Sequence, residues 1–138
     1  MTYYAVIDTN VVVSALLKSG SFPSQILQYA FNGVIIPILN KDILFEYKDV
    51  LSRNKFDFSE DEINNVLTAL MKNSVFVENL DQINDVFMDK DDAVFYQVVM
   101  TTRKEVDTYL ITGNIKHFPA KSYVVTPREM VEIIEKAG

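Results

Sequence analysis

Residues Tyr3 to Ile7 form an aromatic and β-branched run with no polar alternation, the pattern of a strand buried on both faces. Val11 to Leu17 continues apolar for the length of a helix. The pattern therefore predicts a strand over 3–8 and a helix over about 10–18. "GSFPS" turns the chain, and Pro23 opens a second helix running to about Asn32, where Gly33 stops it. "VIIPIL" reads as a strand, followed by a helix from about Lys41 to Arg53 that Asn40 can cap. Ser59 and Glu62 make a capping box that starts a helix reaching about Lys72. "SVFVE" is a short strand, and "DKDDAVFYQVVMTTRKE" a helix whose acidic first turn suits the helix dipole. "TYLIT" is a strand, "GNIKHFP" a turn and "SYVVT" a last strand, after which Thr126, Pro127 and Glu129 open a C-terminal helix. Strands and helices in strict succession predict an α/β fold with a central parallel sheet and helices on both faces.

Asp8 interrupts the first apolar run where a central strand ends. The carboxyl edge of a parallel sheet is where loops diverge and leave a crevice, so polar residues there are candidates for chemistry. Asp8, Thr9 and Asn10 are all good N-caps. One cap is enough for a helix, which leaves two polar residues over. The same reasoning marks Glu46 after the second strand, Asp89, Asp91 and Asp92 after the third, and Thr112 with Asn114 after the fourth. Glu46 lies one helical turn from Ile43 and Val50, on or beside the apolar stripe of its helix. It either joins a buried site or reaches out to solvent, Lys48 or Arg53. Asp91 reads as a charged helix start, whereas Asp92, directly before Ala93, Val94 and Phe95, is expected to face inward.

Composition narrows the chemistry. At 138 residues the chain is read as a single domain, 1–138. No apolar run is long enough to span a membrane and no signal-peptide pattern opens the chain, which points to a cytoplasmic protein. Cysteine is absent and His117 is the lone histidine, so thiolate or histidine-rich metal sites are excluded. A net charge of −6 argues against nonspecific nucleic-acid binding by charge alone. Carboxylates crowded into one cleft repel unless a cation joins them, and an all-oxygen set suits Mg²⁺ or Mn²⁺. Such an arrangement serves phosphodiester hydrolysis. The basic pairs available to a phosphate backbone are Arg103 with Lys104, Lys48 with Arg53 and Lys55, and Lys116 with Lys121. Asp107 lies at the wrong end of its strand and reads as structural, and His117 as a surface or packing residue. Whether Tyr47 and Tyr96 are exposed is left open by the pattern.

The blocks "VIDTNVVVSALL", "ILFEYKDVL", "MDKDDAVFYQVV", "YLITGNIKHFP" and "VVTPREMV" resemble, in order and spacing, the PIN-domain family, particularly its branch of toxins from toxin–antitoxin pairs. The resemblance covers essentially the whole chain. It implies a three-layer α/β/α sandwich and a Mg²⁺- or Mn²⁺-dependent ribonuclease that cuts single-stranded RNA. It further implies a homodimer or higher homo-oligomer and neutralisation by an antitoxin protein. By the same resemblance Asp8, Glu46 and Asp92 are the catalytic, metal-binding acids, and Asp89, Asn10 and Thr112 are accessory positions. Many members carry aspartate in place of Asn114 or of His117; Asn114 can still offer a carbonyl oxygen to the metal. That lost charge also leaves room for a second reading, a PIN-like binding module without turnover. Haloacid-dehalogenase-like phosphatases fit less well, because position 10 is asparagine rather than the second aspartate of D-x-D. A receiver domain fits less well too, because the third strand ends in Glu78.

Overall fold

The computed structural model describes residues 1–83 and 90–137. Among these residues the strands are β1 (Tyr3–Ile7), β2 (Ile35–Leu39), β3 (Val75–Phe76), β4 (Thr108–Ile111) and β5 (Val124–Val125). The helices are α1 (Thr9–Leu17), α2 (Phe22–Phe31), α3 (Lys41–Leu51), α4 (Glu60–Lys72), α5 (Lys90–Arg103) and α6 (Pro127–Ala137). The strands form one sheet in the order β3-β2-β1-β4-β5, with every pairing parallel. The expected three-layer α/β/α sandwich is the fold observed.

Local chemistry sets the element ends. Ser21 caps α2 through Ser24 N–H at 3.2 Å, and Asn40 caps α3 through Ile43 N–H at 2.8 Å. Ser59 with Glu62, and Thr126 with Glu129, bond reciprocally at the starts of α4 and α6. Two strands are shorter than their apolar runs suggest: β3 pairs only at Val75 and Phe76, and β5 only at Val124 and Val125. Shortness at β3 also explains a proline in β2. The Val34 carbonyl accepts from Tyr3 on the β1 side and the Leu39 carbonyl from Val77 on the β3 side. Position 37 therefore faces β3, whose pairing begins only opposite Ile38, so Pro37 withholds a donor from no partner.

The core is centred on β1 and its neighbours. Ala5, Val6, Ile7, Ile35, Ile38, Leu39, Leu110 and Ile111 are all buried, as residues covered on both sheet faces must be. α2 packs on β2 and touches α1, α4 and α6, while α5 packs on β1, β2 and β4. Right-handed crossovers from β1 to β2 to β3 and back to β4 put α5 on the face opposite that layer. α3 touches α1, α4 and α5 and so bridges the two layers. The chain runs outward from β1 through β2 to β3, then returns to β4 on the other side of β1. The strand order therefore reverses between β1 and β4, and a crevice opens at their carboxyl ends.

Candidate active site

Asp8 follows β1 and Thr112 follows β4, so the two flank that switch point. Asp8 occupies the N-cap position of α1, but its side chain makes no cap bond to the N2 or N3 amide. The turn is closed by backbone alone, Val11 N–H donating to the Asp8 carbonyl at 3.0 Å. The carboxylate looks instead across the sheet. Thr112 Oγ1 donates to Asp8 Oδ2 at 2.7 Å, and Asn10 Nδ2 donates to the same oxygen at 3.3 Å. Thr112 Oγ1 in turn accepts from Asn114 N–H at 3.0 Å, and Asn10 Oδ1 accepts from Gly113 N–H at 3.1 Å. "DTN" after β1 is thus laced to "TGN" after β4.

Burial makes this carboxylate unusual. Asp8 is 6% exposed, and loss of hydration lifts its pKa from 3.8 to about 6, with the nearby charge of Asp92 adding to the rise. The Thr112 hydroxyl, the Thr9 backbone N–H and His117 act in the opposite direction. Asp92 is half-buried on the first turn of α5, while its neighbour Asp91 is exposed. His117, in the short turn after β4, brings Nδ1 to 3.5 Å from Asp92 Oδ2. A surface or packing role was expected for this histidine; it is 58% exposed, and its place beside Asp92 was not expected.

Glu46 approaches from another direction. It is half-buried and lies with Asp42, Phe45, Asp91 and Val94 along a cleft of about 200 Å³ between α3 and α5. Directly after it, Tyr47 is 1% exposed and donates its hydroxyl to the Ile7 carbonyl at 2.5 Å. Burial and the Asp8 charge both push that phenol upward, so it stays a donor. Sequence reasoning left Tyr47 open. Its place on the apolar stripe, with a hydroxyl that requires a partner when buried, was the available signal. Tyr96 is also buried.

Asp8, Asn10, Thr112 and Asn114 therefore meet at one spot, with Asp92 and His117 alongside, and Glu46 stands on the α3 side of α5. Asp89 lies outside the described residues. Among those residues, no three of the histidine, aspartate and glutamate side chains stand together as ligands of one ion. The donor set still fits Mg²⁺ or Mn²⁺, because such ions are held by one or two carboxylates and fill the remaining positions with water and substrate phosphate. A buried, repelled carboxylate at Asp8 is also what a dication would relieve.

The basic pairs separate by position. Arg103 donates to the Thr108 carbonyl at 2.8 Å and stacks 3.9 Å over the Tyr123 ring, at the opposite edge of the sheet. Lys104 pairs with Asp81 at 2.7 Å, Arg53 with Asp49 at 3.5 Å, and fully exposed Asp107 approaches Arg103 at 3.8 Å. Lys116 and Lys121 lie on the loop that carries His117, exposed and without an ion pair among the described residues.

The PIN domain family matches residues 4–116. An uncharacterized protein of Methanocaldococcus jannaschii, MJ1680, is 31% identical over 148 aligned positions, which cover 95% of this chain and 91% of that protein. No helix among the described residues is long and apolar enough to cross a membrane.

Proposed function

The chain belongs to the PIN domain family, whose members are in general nucleases using divalent metal ions, and from that premise we propose a Mg²⁺- or Mn²⁺-dependent endoribonuclease that hydrolyses single-stranded RNA. The observation that carries the reading is Asp8: a buried carboxylate at the switch point, released from capping and held by Thr112 across 104 residues of sequence. Asp8 and Asp92 would hold the ion, Glu46 would approach it from α3, and the Asn114 carbonyl oxygen is a further candidate. When bound, such an ion offsets phosphoryl charge and acidifies water for attack. The protein's own residues do the positioning. Thr112 and Asn10 both hold Oδ2 of Asp8, and the Thr9 backbone N–H bonds the same carboxylate, so its orientation is set before any ion arrives. Tyr47 ties the helix carrying Glu46 to the end of β1. Lys116 and Lys121 offer charge to phosphates approaching over the loop after β4.

A toxin role belongs to the same proposal, with a separate antitoxin protein as partner, a homodimer or higher homo-oligomer as the assembly and the cytoplasm as its place. It rests on the order of the motif blocks. The decisive experiment is Mn²⁺-dependent cleavage of a mixed RNA pool. Asp8→Asn is expected to lower cleavage by more than about a hundredfold, beyond the loss that follows removal of a ligand's supporting partner. Its melting temperature is expected to stop responding to Mn²⁺, because binding to the native state is what raises it. Cleavage and Mn²⁺ response both undiminished in Asp8→Asn would sink the nuclease reading. RNA binding without cleavage in the parent would instead favour the binding-module reading, which the neutral Asn114 and the net charge of −6 support.

A further inference from the structure

On the α1 and α6 side of Asp8 the surface folds into a recess of about 210 Å³, walled by Asn10, Ser14 and Asn114 with Val11, Pro23 and Pro127. Its position is fixed by bonds already described: Asn10 gives its amide to Asp8 and takes the Gly113 N–H, so one wall of the recess is the back of the catalytic strand end. Its chemistry differs from that of its neighbours. The cleft between α3 and α5 is walled by Asp42, Glu46 and Asp91, and the surface beyond the β4 loop by Lys116 and Lys121. This recess has neither carboxylate nor ammonium in its wall. Ser14 and Asn114 hold side-chain donors and acceptors that have no hydrogen-bond partner among the described residues, and both are exposed. A volume below the roughly 300 Å³ at which drug-sized pockets begin admits one ring-sized group.

We propose that this recess binds the base of the nucleotide next to the scissile phosphate. A metal ion or a phosphate would choose the charged surfaces on either side, whereas a nucleobase is neutral, flat and edged with donors and acceptors that amides and hydroxyls match. Only an unpaired nucleotide can turn its base edge into such a recess, which fits a single-stranded substrate. The inference rests on the nuclease reading for what the nucleotide belongs to, and Asn114 is thereby assigned to the substrate rather than to the metal.

The test uses the whole protein, metal-free in EDTA, with backbone amide NMR shifts read on adding UMP, AMP or ribose 5-phosphate. The nucleotides are expected to move the Ser14, Gly113 and Asn114 amides, and ribose 5-phosphate, which lacks a base, is expected to leave them in place. Ser14→Leu, at an exposed helix position, and Asn114→Ala should each weaken nucleotide binding by about tenfold, roughly the net worth of a hydrogen bond and its packing, with the melting temperature unchanged. Asn114→Ala keeps the test decisive if the leucine disturbs α1. Equal shifts with ribose 5-phosphate, shifts confined to other residues, or unaltered affinity in the variants would overturn the proposal. The two readings fail separately. A protein that cleaves RNA with Mn²⁺ while bases ignore the recess loses this inference alone, and base-dependent shifts in a protein that never cleaves retain the recess and discard the nuclease.

Discussion

At the residue scale, Asp8 combines burial with a partner on a distant strand, and its protonation follows from that. Its pKa of about 6 lies above the 3.8 it has when hydrated. Between roughly pH 4 and pH 6 the folded chain keeps a proton that the unfolded chain has released, so Asp8 contributes less to stability as pH rises through that window. The direction is opposite to that of a salt-bridged carboxylate. The loss reaches on the order of 2–3 kcal/mol above the window in the metal-free protein. The Asn carbonyl oxygen can accept from Thr112 as the Asp8 carboxylate does but the amide does not ionise, so urea unfolding of metal-free Asp8→Asn is expected to gain on the parent between pH 4 and pH 7. An equal difference at both pH values would mean that burial does not tax this carboxylate. Asp8 at the end of β1 and Asp92 before an apolar run were both candidates in the sequence. That His117 would share their corner was not legible, because nothing in "NIKHF" reports which way the loop folds back.

Element ends were legible wherever a local bond makes them. Asn40 before α3, Ser59 and Glu62 at α4, and Thr126 and Glu129 at α6 all make the capping bonds their spacing predicts. Asp8 is the instructive exception, a residue with cap chemistry whose side chain serves the neighbouring strand. α3 matters most for the site, since it carries Glu46 and is pinned at two points, by the Asn40 cap at its start and the Tyr47 hydroxyl on Ile7 in its middle. Tyr47→Phe strands a buried carbonyl beside Asp8 and is expected to cost about 1–3 kcal/mol in denaturant unfolding. Asn40→Ala should cost about 1 kcal/mol. If the Tyr47 bond also sets where Glu46 stands, Tyr47→Phe weakens Mn²⁺ binding while Asn40→Ala barely changes it. Equal effects of the two on calorimetric Mn²⁺ affinity would reduce Tyr47 to a packing residue.

For the whole molecule, a net charge of −6 sets the terms on which a polyanion can approach. Arginine and lysine at the amino edge of the sheet are occupied by Thr108, Tyr123 and Asp81, whereas the loop bearing Lys116 and Lys121 is a basic approach on the same side as the site. With about two phosphates neutralised, metal-free RNA binding should be weak and fall with log salt at a slope near −1.4. Lys116→Ala with Lys121→Ala should bring that slope close to zero. A nanomolar metal-free affinity with a steep slope in fluorescence titrations would point to a basic surface elsewhere on the protein.

The sequence by itself determined the succession of strands and helices, most of their caps and the place of Asp8 at the end of β1, because periodicity and capping depend on neighbours within one or two turns. It also set the charge and the absence of thiols, which follow from composition alone. Only the tertiary structure decided the order β3-β2-β1-β4-β5, and with it that β1 lies between β2 and β4 rather than at the edge of the sheet. That order brings Thr112 to Asp8 and opens the crevice beside Asp92, while the bridging position of α3 turns Glu46 toward α5. Periodicity reports that a face is buried but not what buries it, so partners distant along the chain are set only when the sheet closes.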